Sequence, residues 1–341
     1  MTRALYLLGD INLKGVGDPS LVFEHVAPKL AGASMVFANL ECCLFDDAAT
    51  ATEQRGFYVP TRFAAVLKAA GLHAVGMANN VNIGQEAIAS SLAALGRAGI
   101  ATVGAGLDDA AREPLIIERH GLRYGILQRT AIYWPDTHEA GPGQVGVAVI
   151  KAHTAYRPKL EQQAARTRPG VPPEVVTWAD PGSLAECAGA IASLRERADI
   201  VVASFHWGYR AEILNYQREF AHAAIDAGAD LVFGHGPHMI LPIELHAGRP
   251  IVYGCGNFSF QFAHDRVLHA DWVGMFLRAS IADGVIGSIE IAFVERNADN
   301  QTVVRAVDDL PQARDRLTAA SAELGCRLET DGGILRLSLR A

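Results

Sequence analysis

Short apolar runs rich in β-branched and aromatic residues alternate along the chain with longer stretches of helical spacing. The runs "ALYLLG", "SMVFAN", "AVGMAN", "ATVGAG", "YGILQR", "DIVVASF", "DLVFG" and "PIVYGCGNF" predict strands. Between them, "TRFAAVLKAAG", "GQEAIASSLAALGRAG", "GSLAECAGAIASLRERA" and "YQREFAHAAIDAG" predict helices, each closing at or near a glycine or a charge-rich turn. That alternation points to an α/β architecture. From Trp272 onward, "VGMFLRASIAD", "GVIGSIEIAFVER" and "QTVVRAV" predict amphipathic antiparallel strands, followed by a helix in "LPQARDRLTAASAELG" and a last strand in "GILRLSLRA". Residues 136–177 are richer in Pro, Gly, Gln and charge; they form either an insertion or cover between two halves of one domain, or an ordinary surface excursion. The expected organisation is a main domain, 1–295, with a C-terminal extension, 296–341, packed on it.

Five of the apolar runs end in potential metal ligands. "LYLLGDIN" gives Asp10 and Asn12, "MVFANLE" gives Asn39 and Glu41, "VGMANNVN" gives Asn79, Asn80 and Asn82, "VVASFHWG" gives His206, and "LVFGHGPH" gives His235 and His238. In a sheet of largely parallel strands these ends lie side by side at one edge, which is where α/β proteins bind ligands. Taken singly, each has a plain structural alternative: a turn or cap for the Asp and Asn residues, a hydrogen-bonded core position for each His. Taken together they offer two carboxylates, an amide oxygen and three imidazoles, with no thiolate. Such a set suits two divalent ions of borderline character, Mn, Fe or Zn. In "GHGPH", Pro237 lacks a backbone donor and disfavours helical geometry at Gly236, so the turn is expected to aim His235 and His238 at one point.

Half of the 341 residues are apolar, enough for a substantial core and too many for a disordered chain. A formal charge of −7 without a basic cluster argues against nucleic acid or an anionic membrane as the main partner. An anionic small substrate then needs local positive charge. The five cysteines, Cys42, Cys43, Cys187, Cys255 and Cys326, are scattered without a CxxC, as expected of reduced thiols in a cytoplasmic protein. The apolar run before Gly9 and Asp10 is too short for a signal peptide, and none approaches the ~20 residues needed to cross a bilayer.

In order, Gly9-Asp10, "NLE" (39–41), "ANN" (78–80), "HWG" (206–208), "GHGPH" (234–238) and "YGCGNF" (253–258) resemble the poly-γ-glutamate capsule-synthesis (CapA-like) family of the calcineurin-like metallophosphoesterase superfamily. The resemblance implies a four-layer α/β/β/α sandwich around two metal ions. Asp10 would bind the first ion, Glu41 would bridge both, Asn80, His206 and His235 would bind the second, and His238 would complete the first. Asn12 stands where many metallophosphoesterases carry a further histidine. The implied activity is hydrolysis of a phosphoester or γ-glutamyl-type amide, in a small metabolite or glutamyl polymer, by metal-activated water. His206, Asn80 and Arg210 would act in catalysis, and Arg55, Tyr58, Trp207, Arg210 and Asn257 would bind substrate. The alternatives are a catalytically degenerate assembly component and a metal-dependent transferase or ligase.

The departures are specific. Val81 stands where the family usually has a histidine, which in the wider superfamily protonates the leaving group, a contribution worth ~10²–10⁴ in rate. Asn82 and His264 are the nearest substitutes. Arg210 replaces the glutamate two positions after "HWG"; its guanidinium suits a substrate carboxylate or phosphate, or else a salt bridge to Glu212 or Asp226. Gly236 takes the place of the last motif's middle histidine.

Overall fold

Strand Arg3–Asn12 shows how period-two alternation builds the molecule. Leu5 and Leu7 enter one hydrophobic core, while Leu8 and Ile11, with Tyr6 beside them, enter another. The computed structural model describes residues 3–261 and 272–339, and shows a mixed α/β chain with two main sheets.

The first sheet is ten-stranded and runs Glu329–Asp331, Ile334–Ser338, Val285–Arg296, Gly274–Ala282, Arg3–Asn12, Met35–Leu40, Ala74–Gly76, Ala101–Val103. Strand Asn257–Phe260 also pairs with Arg3–Asn12, and Thr302–Arg305 with Val285–Arg296. Its early strands are parallel and its C-terminal strands antiparallel. The second sheet, six-stranded, runs Ile243–His246, Arg249–Val252, Leu231–His235, Ile200–His206, Leu122–Thr130, Leu115–Arg119. Its four inner strands are parallel, the first three in chain order linked through helices and Arg249–Val252 reached by way of the edge strand Ile243–His246.

Leu5, Leu7, Met35 and Phe37 of the first sheet share one core with Ile126, Val202, Leu231 and Phe233 of the second. Phe37 and Phe233 meet edge to face across it at 6.2 Å. Helices Phe63–Ala69 and Gln85–Arg97 pack through Phe63, Leu67, Ile88 and Leu95 with Val36 and Ala38 of the first sheet. Helices Pro181–Arg195 and Asn215–Asp226 pack through Ile191, Leu194, Phe220 and Ala224 with Val201, Ala203 and Phe205 of the second.

Two expected strands divide. "ATVGAG" breaks at Gly104, whose φ of +86 ends Ala101–Val103 before Ala105–Leu107 begins. "PIVYGCGNF" leaves the second sheet after Val252 and joins the first at Asn257, turning at Gly256 with φ +72. Between 136 and 177 the chain carries strand Val145–Val147, paired with Ala105–Leu107, and an exposed ribbon of Ala152–Arg157 against Glu174–Ala179.

Candidate metal centre

The centre is the polar continuation of the core between the two sheets. In Met35–Leu40, Ala38 and Leu40 face the helices, so Asn39 and Glu41 turn toward the second sheet with Met35 and Phe37. In Ile200–His206, Ala203 and Phe205 face their helices, so Ser204 and His206 point the other way. His206 lies opposite His235 in the parallel register.

Asp10 reaches this face because of a bulge. Register slips between Leu8 and Asp10, so Leu8 and Ile11 both face the helices and the intervening Asp10 faces the second sheet. Gly9 permits the bulge: a Cβ there would lie 1.9 Å from the Gly256 carbonyl oxygen, which accepts the Asp10 amide at 3.0 Å. The turn after His235 completes the ring. Gly236 has φ +116, its N–H donates to Asp10 Oδ2 at 3.3 Å, and His238 takes φ +57.

The groups converge closely. His206 Nδ1 lies 3.0 Å from His235 Nδ1 and 3.3 Å from Glu41 Oε1. His235 Nδ1 is 3.7 Å from Asp10 Oδ1, and His238 Nδ1 is 3.3 Å from Asp10 Oδ2. Asn80 Oδ1 sits 2.8 Å from His206 Nε2. Donor atoms of Asp10, His206 and His235, and separately of Asp10, Glu41 and His238, fall within 4.8 Å of one another.

Asn39 is the hub. Its amide nitrogen donates to Asp10 Oδ1 at 2.8 Å and Glu41 Oε1 at 3.2 Å, and its oxygen accepts from Asn79 at 3.2 Å and Gln128 at 3.0 Å. Ser204 Oγ contacts His235 Nε2 at 2.9 Å. Gln128 and Ser204 were not among the expected residues, although their alternate positions on strands that face the other sheet were a usable signal.

Burial sets the electrostatics. It would raise Asp10, but the hydrogen bond from His238 and the charges of His238, His235 and His206 outweigh it and hold Asp10 well below the usual carboxylate range. Burial, then the Asp10 charge, pushes Glu41 well above its ordinary value. Burial also drives His235 down to about 4, whereas the Glu41 and Asp10 carboxylates overcome burial at His238 and raise it to about 9. One oxygen is left over: buried Glu41 Oε2 accepts no hydrogen bond. A buried carboxylate oxygen without a hydrogen bond, 3.9 Å from His238 Nε2 and amid imidazole nitrogens with no thiolate, fits an oxygen- and nitrogen-liganded divalent cation. Cys42 and Cys43 are buried, and their thiols are pushed up to about 12 by desolvation, so they pack as small apolar groups.

Other expected residues lie elsewhere. Trp207, expected at the substrate, is fully buried just past the end of strand Ile200–His206, where it stacks on Phe205 and donates to the Tyr253 carbonyl at 2.9 Å. Arg55 is engaged by Glu53 and Asp136 and lies over the Trp134 ring at 4.7 Å. Tyr58 donates to the Glu53 carbonyl at 2.6 Å. Asn257 Oδ1 meets His238 Nδ1 at 2.9 Å, so it bears on that imidazole's orientation. Arg210 is exposed over the ring of Tyr209, itself 74% exposed, and among the described residues it forms no ion pair with Glu212 or Asp226.

Asn12 accepts the Lys14 amide, and Asn79 and Asn82 brace the backbone at Leu40 and Met77. Val81 is 2% exposed within the core beneath the first sheet. His138 does not replace it as a proton donor: its Nδ1 accepts the Trp134 amide and its Nε2 meets the Asn82 carbonyl, while desolvation lowers it to about 4. His264 lies outside the described residues.

A mixed α/β protein with a buried carboxylate and imidazole cluster at its strand ends is the class this geometry defines. The profile of the family described as "Bacterial capsule synthesis protein PGA_cap" matches residues 5–262, and the chain belongs to that family. It is 32% identical over 196 residues to a probable polyglutamine synthesis accessory protein of Mycobacterium tuberculosis, covering 54% of this chain and 44% of the relative. It is 26% identical over 269 residues to the capsule biosynthesis protein CapA of Bacillus anthracis, covering 75% and 58% respectively. With the PGA biosynthesis protein CapA of Bacillus subtilis it shares 45% identity over 73 residues, 21% of this chain and 19% of that one. The chain thus spans less than two thirds of each of these relatives' length. Among the described residues, no helix is long and apolar enough to cross a membrane.

Proposed function

We propose that the chain is a metal-dependent hydrolase with the α/β/β/α metallophosphoesterase-like sandwich, acting on a phosphoester or a γ-glutamyl-type amide. The observation that carries this reading is the meeting of Asp10, Glu41, His206, His235 and His238, from distant parts of the sequence, around a Glu41 Oε2 that accepts no hydrogen bond. Asp10, Glu41 and His238 would hold one divalent ion, and Glu41 with His206, His235 and Asn80 the other, with Mn, Fe or Zn suited to the donors. Such ions supply Lewis-acid activation of water and of the substrate oxygen.

The chain's own residues do the rest. Asn39 fixes both carboxylates, Ser204 and Gln128 orient His235, and Asn257 orients His238. Burial and the Asp10 charge raise the affinity of Glu41 for a proton, so proton and cation would compete there and loading is expected to depend on pH. Exposed Arg210 is available to pair with a substrate carboxylate or phosphate. Val81 offers no proton to a leaving group, which favours substrates whose leaving group needs none.

Purified protein is expected to carry close to two transition-metal equivalents by elemental analysis, and His235→Ala with Glu41→Ala to lose both metal and turnover. Full hydrolysis by chelator-stripped protein would overturn the proposal. The names of the relatives, together with Val81, favour a second reading as a binding or assembly component of polymer synthesis. It predicts a stable partner and no turnover on a broad ester and amide panel; metal-dependent hydrolysis would remove it. A transferase or ligase would use the same centre with an amine or alcohol as the attacking group.

A further inference from the structure

We propose a second divalent-metal site, zinc-like in preference, formed by His222, Glu244 and His246 on the flank of the six-stranded sheet. Glu244 and His246 are two apart on edge strand Ile243–His246 and so share a face, while His222 projects from helix Asn215–Asp226 packed alongside. The edge strand is antiparallel to Arg249–Val252, and His246 pairs with Arg249 at the start of that strand. Arg249–Val252 is parallel to Leu231–His235, so His246 lies at the end of the sheet away from His235.

His222 Nε2 sits 2.8 Å from Glu244 Oε1, and the two imidazoles stack with centroids 4.1 Å apart and planes 4° from parallel. His246 Nε2 is 2.7 Å from Asp226 Oδ1, one helical turn beyond His222. The three donor atoms lie within 4.8 Å of one another. Ligand atoms of a tetrahedral zinc site are about 3.3 Å apart for bonds of ~2.0 Å, and because the ion lies in the plane of each imidazole it binds, one of the two stacked rings has to turn out of the stack to close the set. Two imidazoles and a carboxylate are a donor set zinc commonly takes. Glu244 is already oriented from behind, its Oε2 accepting from Tyr253 Oη at 2.7 Å and Arg218 at 3.3 Å. A cation there would fasten the helix to the edge strand.

The test separates this site from the strand-end centre. In a Glu41→Gln, His235→Gln background, chelator-stripped protein titrated with Co²⁺ is expected to bind one equivalent, with visible absorption of a low-coordinate ion and a higher Tm. Adding His222→Gln and His246→Gln should abolish both signals. Wild-type protein with and without the second pair should show the same one-equivalent difference, which covers a background that does not fold. Unchanged Co²⁺ stoichiometry after loss of both imidazoles overturns the site. Failure of the hydrolase reading leaves this result untouched.

Discussion

Replacing Asn39 by leucine removes the hub of the centre at nearly constant volume. The five lost contacts, of which the 3.4 Å approach to His206 Nδ1 is the longest and adds little, do not weigh equally. Asp10 is held ionised at 0% exposure, so losing the donor at 2.8 Å costs about 1.5–3 kcal/mol. The second bond, to Glu41 Oε1 at 3.2 Å, is longer, and its loss costs about 1 kcal/mol. Gln128 Nε2 is left with only a 3.5 Å approach to His235 Nε2, costing about another 1 kcal/mol. Asn79 keeps its bond to the Leu40 carbonyl at 2.9 Å and adds little. The expected deficit of the metal-free protein is therefore about 4 kcal/mol, a large share of the ~5–15 kcal/mol typical of a domain.

Divalent cations on Asp10 and Glu41 would take over the role of the missing donor. With saturating Mn²⁺ the deficit should therefore fall below about 2 kcal/mol. Urea unfolding of wild type and Asn39→Leu, with chelator and with Mn²⁺, measures both values by linear extrapolation. A deficit under about 1 kcal/mol in chelator, or one equal in both conditions, would refute the placement of Asn39 as the brace of a cation-binding pair.

Gly9→Ala should open the bulge, because its Cβ would sit 1.9 Å from the Gly256 oxygen; a loss above about 3 kcal/mol and of bound metal is expected, and wild-type metal content with unchanged Tm would contradict it. Trp134 Nε1 donates to the Asn80 carbonyl at 3.1 Å, so Trp134→Ala should weaken Mn²⁺ binding by roughly 2–10-fold in calorimetric titration with the fold retained; unchanged affinity would sever Trp134 from the centre. Far from the site, His73 accepts the Val36 amide, and burial, then the charges of Arg119 and Lys68, lower it to about 4. The folded state thus binds fewer protons than the unfolded one, so stability is full above about pH 6.5 and falls by about 1–2 kcal/mol toward pH 4, after discounting for partial exposure. His73→Gln should flatten that part of a urea-midpoint series against pH, and an unaltered slope would exclude His73 as its source.

The alternating elements were legible because each long strand and helix carries its own period: Ile200–His206 and Gln85–Arg97 fall where the apolar pattern puts them. Convergence at the strand ends was legible for a similar reason, since parallel strands bring their C-terminal ends to one edge. Hidden from the sequence were features set by contact between distant segments. An apolar run such as "PIVYGCGNF" does not encode which sheet each half joins, and the Gly9 bulge is decided by the approach of Gly256, 247 positions away by residue number.

Trp207, which the resemblance implies as a substrate contact, shows that the residue next to a ligand in sequence need not lie beside it in space. Residue i+1 points away and residue i−2 shares the face, so Ser204 reaches His235 while Trp207 reaches the Tyr253 carbonyl in the core behind it. The same rule selects Asn39 and Gln128, which share the inward face of their strands with Phe37 and Ile126. Around a centre built at strand ends, the residues that orient the ligands are thus those two positions back along each strand, where the apolar core gives way to hydrogen-bonding side chains.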